Sequence, residues 1–452
     1  MDETRRLAEF AAGRRYQDLP PSVVEAVRVY ILDNLASGLV GSHTPWADMV
    51  GGLVRETAPN GPCSVFQRSW TTSPSHAALV NGTMIGGFET DHAFVPGSCH
   101  PSAAVFPAAM AVAEKRRLDG RSFIAAVAAG YELACRVGAA ATRSVEDERG
   151  FHGPGTNAPF GGAAGAGRAL ELDTEAMVNA LGVAGSHACG LLEFAREGAM
   201  TKRLHVGRGA QMGLESALLA SSGFTGPSTV LEGEKGFLRV YSPSPRPELL
   251  LEGLGERYLL MDMLVKAYPC HASFHPVVEG IHRLRAGGGM EPGAVESVRV
   301  VGYERMIKRH DQREPTSVLG AQYSLPFSVA VGLCRDIDDP FTYSEETLWD
   351  PAIRRLASSV ELAVDGERFG RPGGPAAEVS LTVGGSLHTF QVAGWKGAPG
   401  NPYTFDEMAG KFRRYAAGSL DPERTEQVVR TVLALEDADV GELAALLRME
   451  GP

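Results

Sequence analysis

What most constrains the fold is a change of hydrophobic period part-way along the chain. Through roughly the first 260 residues, apolar positions recur at helical spacing in one segment after another, separated by seams of Ala and Gly. Val23, Val24, Val27, Tyr30, Ile31, Leu35 and Leu39 mark such a helix over 21–40, and the same period predicts helices over 76–85, 101–115, 121–137, 161–170 and 173–188. After Pro269 and one more helix over 275–285, residues 295–303, 360–364, 377–383 and 387–392 alternate apolar and polar, the period of half-buried strands. Helical stretches at 324–333 and 345–356 lie among them, and amphipathic helices over 404–416 and 422–447 follow. The expected fold is mainly α with an α+β second domain. Its parts are a helical domain over 1–265, an α+β domain over 266–396, and a helical return over 397–452 that packs on the first domain.

Charge and cysteine usage narrow the function. With a net charge of −11 over 452 residues, the general field repels nucleic acid and anionic membrane, so neither is an expected partner. An anionic substrate must then be met by a local basic cluster. Cys63, Cys99, Cys135, Cys189, Cys270 and Cys334 are scattered with no Cys-x-x-Cys pair, which argues against a zinc ribbon, a thioredoxin-type site or a disulfide scaffold. The opening MDETRRLAEFAAGRRY has no apolar h-region, and charges interrupt the apolar runs before they reach membrane-spanning length. The expectation is a soluble, cytoplasmic protein. No Gly-x-Ser-x-Gly elbow anchors a hydrolase triad.

Four stretches carry chemistry. In FETDHAFVPGSCHPSAAVFPAAMAVAE, residues 88–114, Glu89, Asp91, His92 and His100 crowd a Pro/Gly-broken loop that turns at once into an apolar helix. Pro101 and Ser102 sit where a helix start belongs, with Ser102 expected to cap it, so His100 is predicted at a helix mouth. RGFHGPGTNAPFGGAAGAGR embeds His152 in Gly and Pro; without a P-loop pattern or a preceding strand, its glycines read as tight helix packing. GAMTKRLHVGRG holds Lys202, Arg203, His205 and Arg208, the densest short cationic cluster, and half-buried cations call for an anion. VKAYPCHASFHP carries Lys266, His271 and His275 at the predicted domain junction, where ligand sites are favoured. Its histidine spacing, broken by Pro269 and without a third ligand, does not suit a metal. His43, His76, His187, His282, His310 and His388 lack a comparable setting and are assigned structural or surface roles.

With HPSAAVFPAAMAVAE, GFHGPGTNAPFGGAAGAGRALELD, MTKRLHVGRGAQMG, GFTGPSTVLEGEKGF and KAYPCHASFHP in order along it, the chain resembles the MmgE/PrpD family. That family includes 2-methylcitrate dehydratase, cis-aconitate decarboxylase and iminodisuccinate epimerase. The resemblance implies a helical domain made from both chain ends, an inserted α+β lid and a homodimer. It also implies catalytic roles for Asp91, His100, His152, Lys202, Lys266 and His271, with Glu89, Arg203 and Tyr323 beside the substrate. Two positions depart from the family pattern. Relatives often carry Asp-Asp where Asp91 is followed by His92, and many have tyrosine where this chain has Phe327, leaving Tyr323 as the nearby phenol.

The expected activity is that of a cofactor-independent and metal-independent lyase on a small di- or tricarboxylate. Lys202 and Lys266, with Arg203, would hold carboxylates, and His100 and His152 would move the proton α to one of them. Dehydration of a 2-methylcitrate-like substrate stands first, with decarboxylation or epimerisation as alternatives. A catalytically silent binding or scaffold member of the family is the alternative of another class.

Overall fold

Two of the long helices begin on a side-chain cap: Asp119 accepts from the Ser122 amide and Asp173 from that of Ala176, each satisfying an otherwise orphaned N–H. The computed structural model of the chain describes residues 2–286, 292–370 and 376–449, so the end of the expected helical return, 450–452, lies outside the described residues. The chain divides into two units. The first comprises Met1–Phe194, Met200–Leu264 and Tyr403–Pro452, and the second Ala195–Ala199 and Val265–Pro402. The second unit thus runs past the expected end at 396, and it takes in a short early segment that no shift in composition marks.

In the first unit, the Thr201–Ser221 helix packs against both the Gly153–Ala169 and Pro74–Ile85 helices, and Ser102–Arg116 packs on Gly153–Ala169. Small residues make this possible: a Cβ at Gly213 would stand 2.6 Å from the Pro159 carbonyl oxygen. The Phe405–Ala416 helix, opened by a Thr404–Glu407 capping box, packs on Pro21–Gly41 and brings the later part of the chain onto its first long helix.

Three sequence expectations need correction here. The helix expected over 161–170 begins at Gly153, with Pro154 in its first turn, so His152 becomes its N-cap instead of a loop residue. The tail expected as one helix over 422–447 breaks into Pro422–Leu433, Leu435–Asp437 and Val440–Leu446, the last capped by Asp439. The Gly120–Ala141 helix is, against expectation, long and apolar enough to cross a membrane, yet its most apolar window is 100% buried inside the structure. Two of its charges are internal: Arg136 pairs with Glu132 at 2.7 Å and donates to the carbonyls of Leu250, Glu252 and Arg257. A guanidinium so fully satisfied can sit in a core that would otherwise reject it.

The second unit is built on a four-stranded sheet in the order Glu361–Val364, Val295–Gly302, Ala377–Val383, Ser386–Val392. The first pair is parallel, with Arg299 opposite Glu361, and the other two are antiparallel, with Val300 opposite Val379 and Val379 opposite Phe390. Gly384 and Gly385, both at positive φ, form the two-residue hairpin turn. The His275–Ala286 helix covers one face, with Gly280 leaving room for the Phe390 ring. The stretch expected as one helix over 345–356 divides at Asp350, which ends Glu345–Trp349 and caps Pro351–Ser359 through the Ala352 amide.

Candidate active site

The first unit gathers most of the expected groups around the loop after the Pro74–Ile85 helix. Glu89 stands there at φ 58°, a left-handed conformation that costs a residue with a Cβ and persists only when its surroundings impose it. Its side chain forms an ion pair with Lys202, from the first turn of the Thr201–Ser221 helix, both side chains being buried. One residue on, the Thr90 carbonyl accepts from Ser37 Oγ at 3.1 Å. Asp91 Oδ2 then accepts a hydrogen bond from His100 Nδ1–H across 2.7 Å, which leaves Nε2 as that ring's reactive atom.

Backbone pairing of Phe94 with Cys99 folds the loop back, so His100 arrives just before the Ser102–Arg116 helix, as expected. The expected cap does not form: Pro101 holds the N-cap position and Ser102 is a fully buried residue of the first turn. Arg203, expected beside the substrate, braces two other segments of the first unit. Its Nε donates to the Gly87 carbonyl at 3.0 Å and its guanidinium lies 3.6 Å from the Trp46 ring centroid.

His152 is not in an open Gly/Pro loop. Its backbone N–H donates to Gly190, its ring packs edge-on to Phe194, and it is only 4% exposed. Glycine lets its helix come in: a Cβ at Gly153 would meet the Ser98 carbonyl at 2.4 Å, and one at Gly155 would meet the Cys189 carbonyl at 2.4 Å and the His205 Cβ at 3.2 Å. Burial, followed by the nearby His205 and His100, holds the His152 imidazole well below its ordinary range, while Asp91 pulls the other way. His205 is lowered too, first by burial and then by Lys202. Glu89, Asp91, His100, His152 and Lys202 are therefore one electrostatic cluster.

The second unit holds another. Lys266 is buried, and Cys270 near it has its thiol pushed up to about 12 by burial despite the lysine. His271 Nδ1 accepts from the Ser273 amide at 3.3 Å, so a neutral His271 carries its proton on Nε2. Its ring lies 4.3 Å from that of His310 and 5.0 Å from that of Tyr323. His310, assigned no chemical setting from sequence, donates from Nδ1 to the Tyr323 carbonyl at 2.9 Å, and burial pushes it down to about 4. Phe327 is fully buried near the start of Leu325–Cys334, a helix capped by Ser324. Among the described residues, no group of three or more His, Cys, Asp or Glu is arranged to hold a metal ion.

Sequence reasoning missed His205 and His310 as individual groups. His205 had a signal, since it stands three residues after Lys202 and shares its helix face. His310 had none, because it meets His271 only through folding of a distant segment.

Residues 5–250 match the model of the MmgE/PrpD N-terminal domain, and residues 268–437 that of the C-terminal domain. The chain belongs to the MmgE/PrpD family. Among similar MmgE/PrpD proteins is the cis-aconitate decarboxylase-like protein oryM of Aspergillus oryzae, 28% identical over 99% of this chain and 97% of that protein. The cis-aconitate decarboxylase of Aspergillus terreus is 28% identical over 98% of this chain and 95% of its own length. That of Homo sapiens is 28% identical over 99% and 95%.

Proposed function

We propose that this MmgE/PrpD protein is a carboxy-lyase that removes carbon dioxide from a small unsaturated tricarboxylate of the cis-aconitate kind. The observation that carries the reading is the buried loop on which Asp91 fixes His100 by Nδ1 while Glu89 fixes Lys202, in a chain similar over nearly its whole length to cis-aconitate decarboxylases. Those relatives favour decarboxylation over the dehydration that the family resemblance put first.

In cis-aconitate a CH₂–COO⁻ arm is attached to a carbon–carbon double bond. When that arm loses carbon dioxide, the electron pair it leaves shifts the double bond. Negative charge then develops on the alkene carbon beside a remaining carboxylate, where a proton must be added. A trianion and one proton thus give carbon dioxide and a dianion. His100, as an imidazolium whose Nδ1–H is held by Asp91, supplies the proton from Nε2, a step worth roughly 10²–10⁴-fold for a positioned acid. It is left as the neutral Nδ1–H ring, to be reprotonated from solvent. The Lys202 ammonium stabilises carboxylate charge in a site of low dielectric. His152 is a second acid or base.

The purified protein should be incubated separately with cis-aconitate, citrate, 2-methylcitrate and iminodisuccinate and followed by NMR. A decarboxylated dicarboxylate from cis-aconitate, with the others unchanged, supports the proposal. Alkene formation from 2-methylcitrate with cis-aconitate inert overturns it.

A further inference from the structure

One contact in the first unit has no part in that mechanism. His152 Nδ1 and His205 Nδ1 lie 3.0 Å apart, with ring centroids at 5.1 Å, and both rings pack on Phe194. The pairing is built in. Gly155 admits the His205 side chain, and Gly190, at φ 118°, lies where a Cβ would be 3.1 Å from His205 Nδ1.

Two nitrogens of the same kind at hydrogen-bond distance need one proton between them, so a neutral pair must adopt opposite tautomers at Nδ1. If His205 donates, His152 has a lone pair at Nδ1 and its proton at Nε2, which makes it an acid. If His152 donates, it has a lone pair at Nε2 and is a base. Neutrality of both rings agrees with the direction in which burial moves them. The groups facing the pair are Asp91 and His100 on the His152 side, Lys202 on the His205 side, and Glu146, which accepts from the adjacent Gly153 amide at 3.1 Å.

Position decides the direction. His152 is the N-cap of the 17-residue Gly153–Ala169 helix, and Nδ1 is the ring nitrogen nearest the backbone. The positive dipole end there favours a lone pair over an N–H. His205 is the fifth residue of the Thr201–Ser221 helix, past the first turn within which the dipole acts.

We infer that His205 is a positioning residue which donates its Nδ1 proton to His152 Nδ1 and thereby holds His152 as the Nε2–H tautomer, a proton donor. The inference rests on the carboxy-lyase reading for its catalytic consequence, whereas the tautomer pair is a property of the resting protein.

The test has two arms. In protein labelled with ¹⁵N-histidine, assigned with His152→Gln and His205→Phe, the wild type should show Nδ1–H on His205 and Nε2–H with an unprotonated Nδ1 on His152. Both rings as Nε2–H tautomers, or Nδ1–H on His152, would overturn the inference whether or not any substrate reacts. In the second arm, His205→Phe keeps a ring without the donor, and His205→Asn places an amide N–H near the former Nδ1. On cis-aconitate, His205→Phe should lower kcat roughly 10–100-fold at nearly unchanged KM and move the acid limb of the pH profile, and Asn should recover most of the loss. Phe and Asn variants that both match the wild type in kcat and pH profile would remove His205 from the mechanism. An inert wild type with the expected tautomers would count against the carboxy-lyase reading alone.

Discussion

His92 Nε2 lies 2.7 Å from Asp33 Oδ2, and neither side chain has any exposed surface. The other oxygen of Asp33 takes Lys411, from the Phe405–Ala416 helix, and the Tyr30 ring packs 4.9 Å from His92. His92, where this chain departs from the family's Asp-Asp pattern, therefore ties the acidic loop to the first long helix and the helical return. Burial opposes ionisation of Asp33, yet Lys411 and His92 together hold its carboxyl below the usual range.

Lys411→Met should therefore cost about 3–5 kcal/mol in equilibrium unfolding by denaturant, because it leaves Asp33 buried without its main countercharge. Asp33→Leu combined with Lys411→Met should recover much of the loss. A Lys411→Met protein as stable as the wild type would contradict the role given to this network.

Glu89 and Lys202 make a second separable case. Lys202→Met should lose both activity and stability, since Glu89 stays buried. Adding Glu89→Gln should restore thermal stability without restoring turnover, because the cation is still missing. Recovery of activity in the double variant would show that Lys202 serves only to neutralise Glu89.

The sign of the pH effect at His310 follows from its lowered value of about 4. Unfolded, a histidine takes up a proton near 6.5, but folded His310 resists until about 4. Its contribution is fully present above about 6.5 and is lost as pH falls through that window, by about 3 kcal/mol in all. His310→Asn, which retains a donor for the Tyr323 carbonyl, should flatten the stability–pH curve between those limits. An unchanged slope would place the acid sensitivity elsewhere.

The helical period of residues 21–40 and the alternation of 377–383 could be read from the sequence because each follows from side-chain placement in a single element. Pro101 announced the start of the helix beside His100 for the same reason. Breaks at Asp350 and after Leu433 were less legible, since an amphipathic pattern continues across a short interruption. The chemistry followed the same divide. His100 and Asp91 lie within one loop and are both legible there as candidates, whereas His92 with Asp33, His152 with His205 and His271 with His310 join segments far apart in sequence. Arg203 follows the same divide, because its contacts with Trp46 and the Gly87 carbonyl join segments far apart in sequence.

The most direct test of the central claim is the reaction of wild-type protein with cis-aconitate in D₂O, set beside His100→Ala under identical conditions. The wild type should release carbon dioxide and give a dicarboxylate with one deuterium on the carbon next to the carboxylate where the alkene began. His100→Ala should fold normally and turn over roughly 10²–10⁴-fold more slowly. Deuterium at another carbon, consumption of substrate without carbon dioxide, or undiminished turnover in His100→Ala would contradict the account.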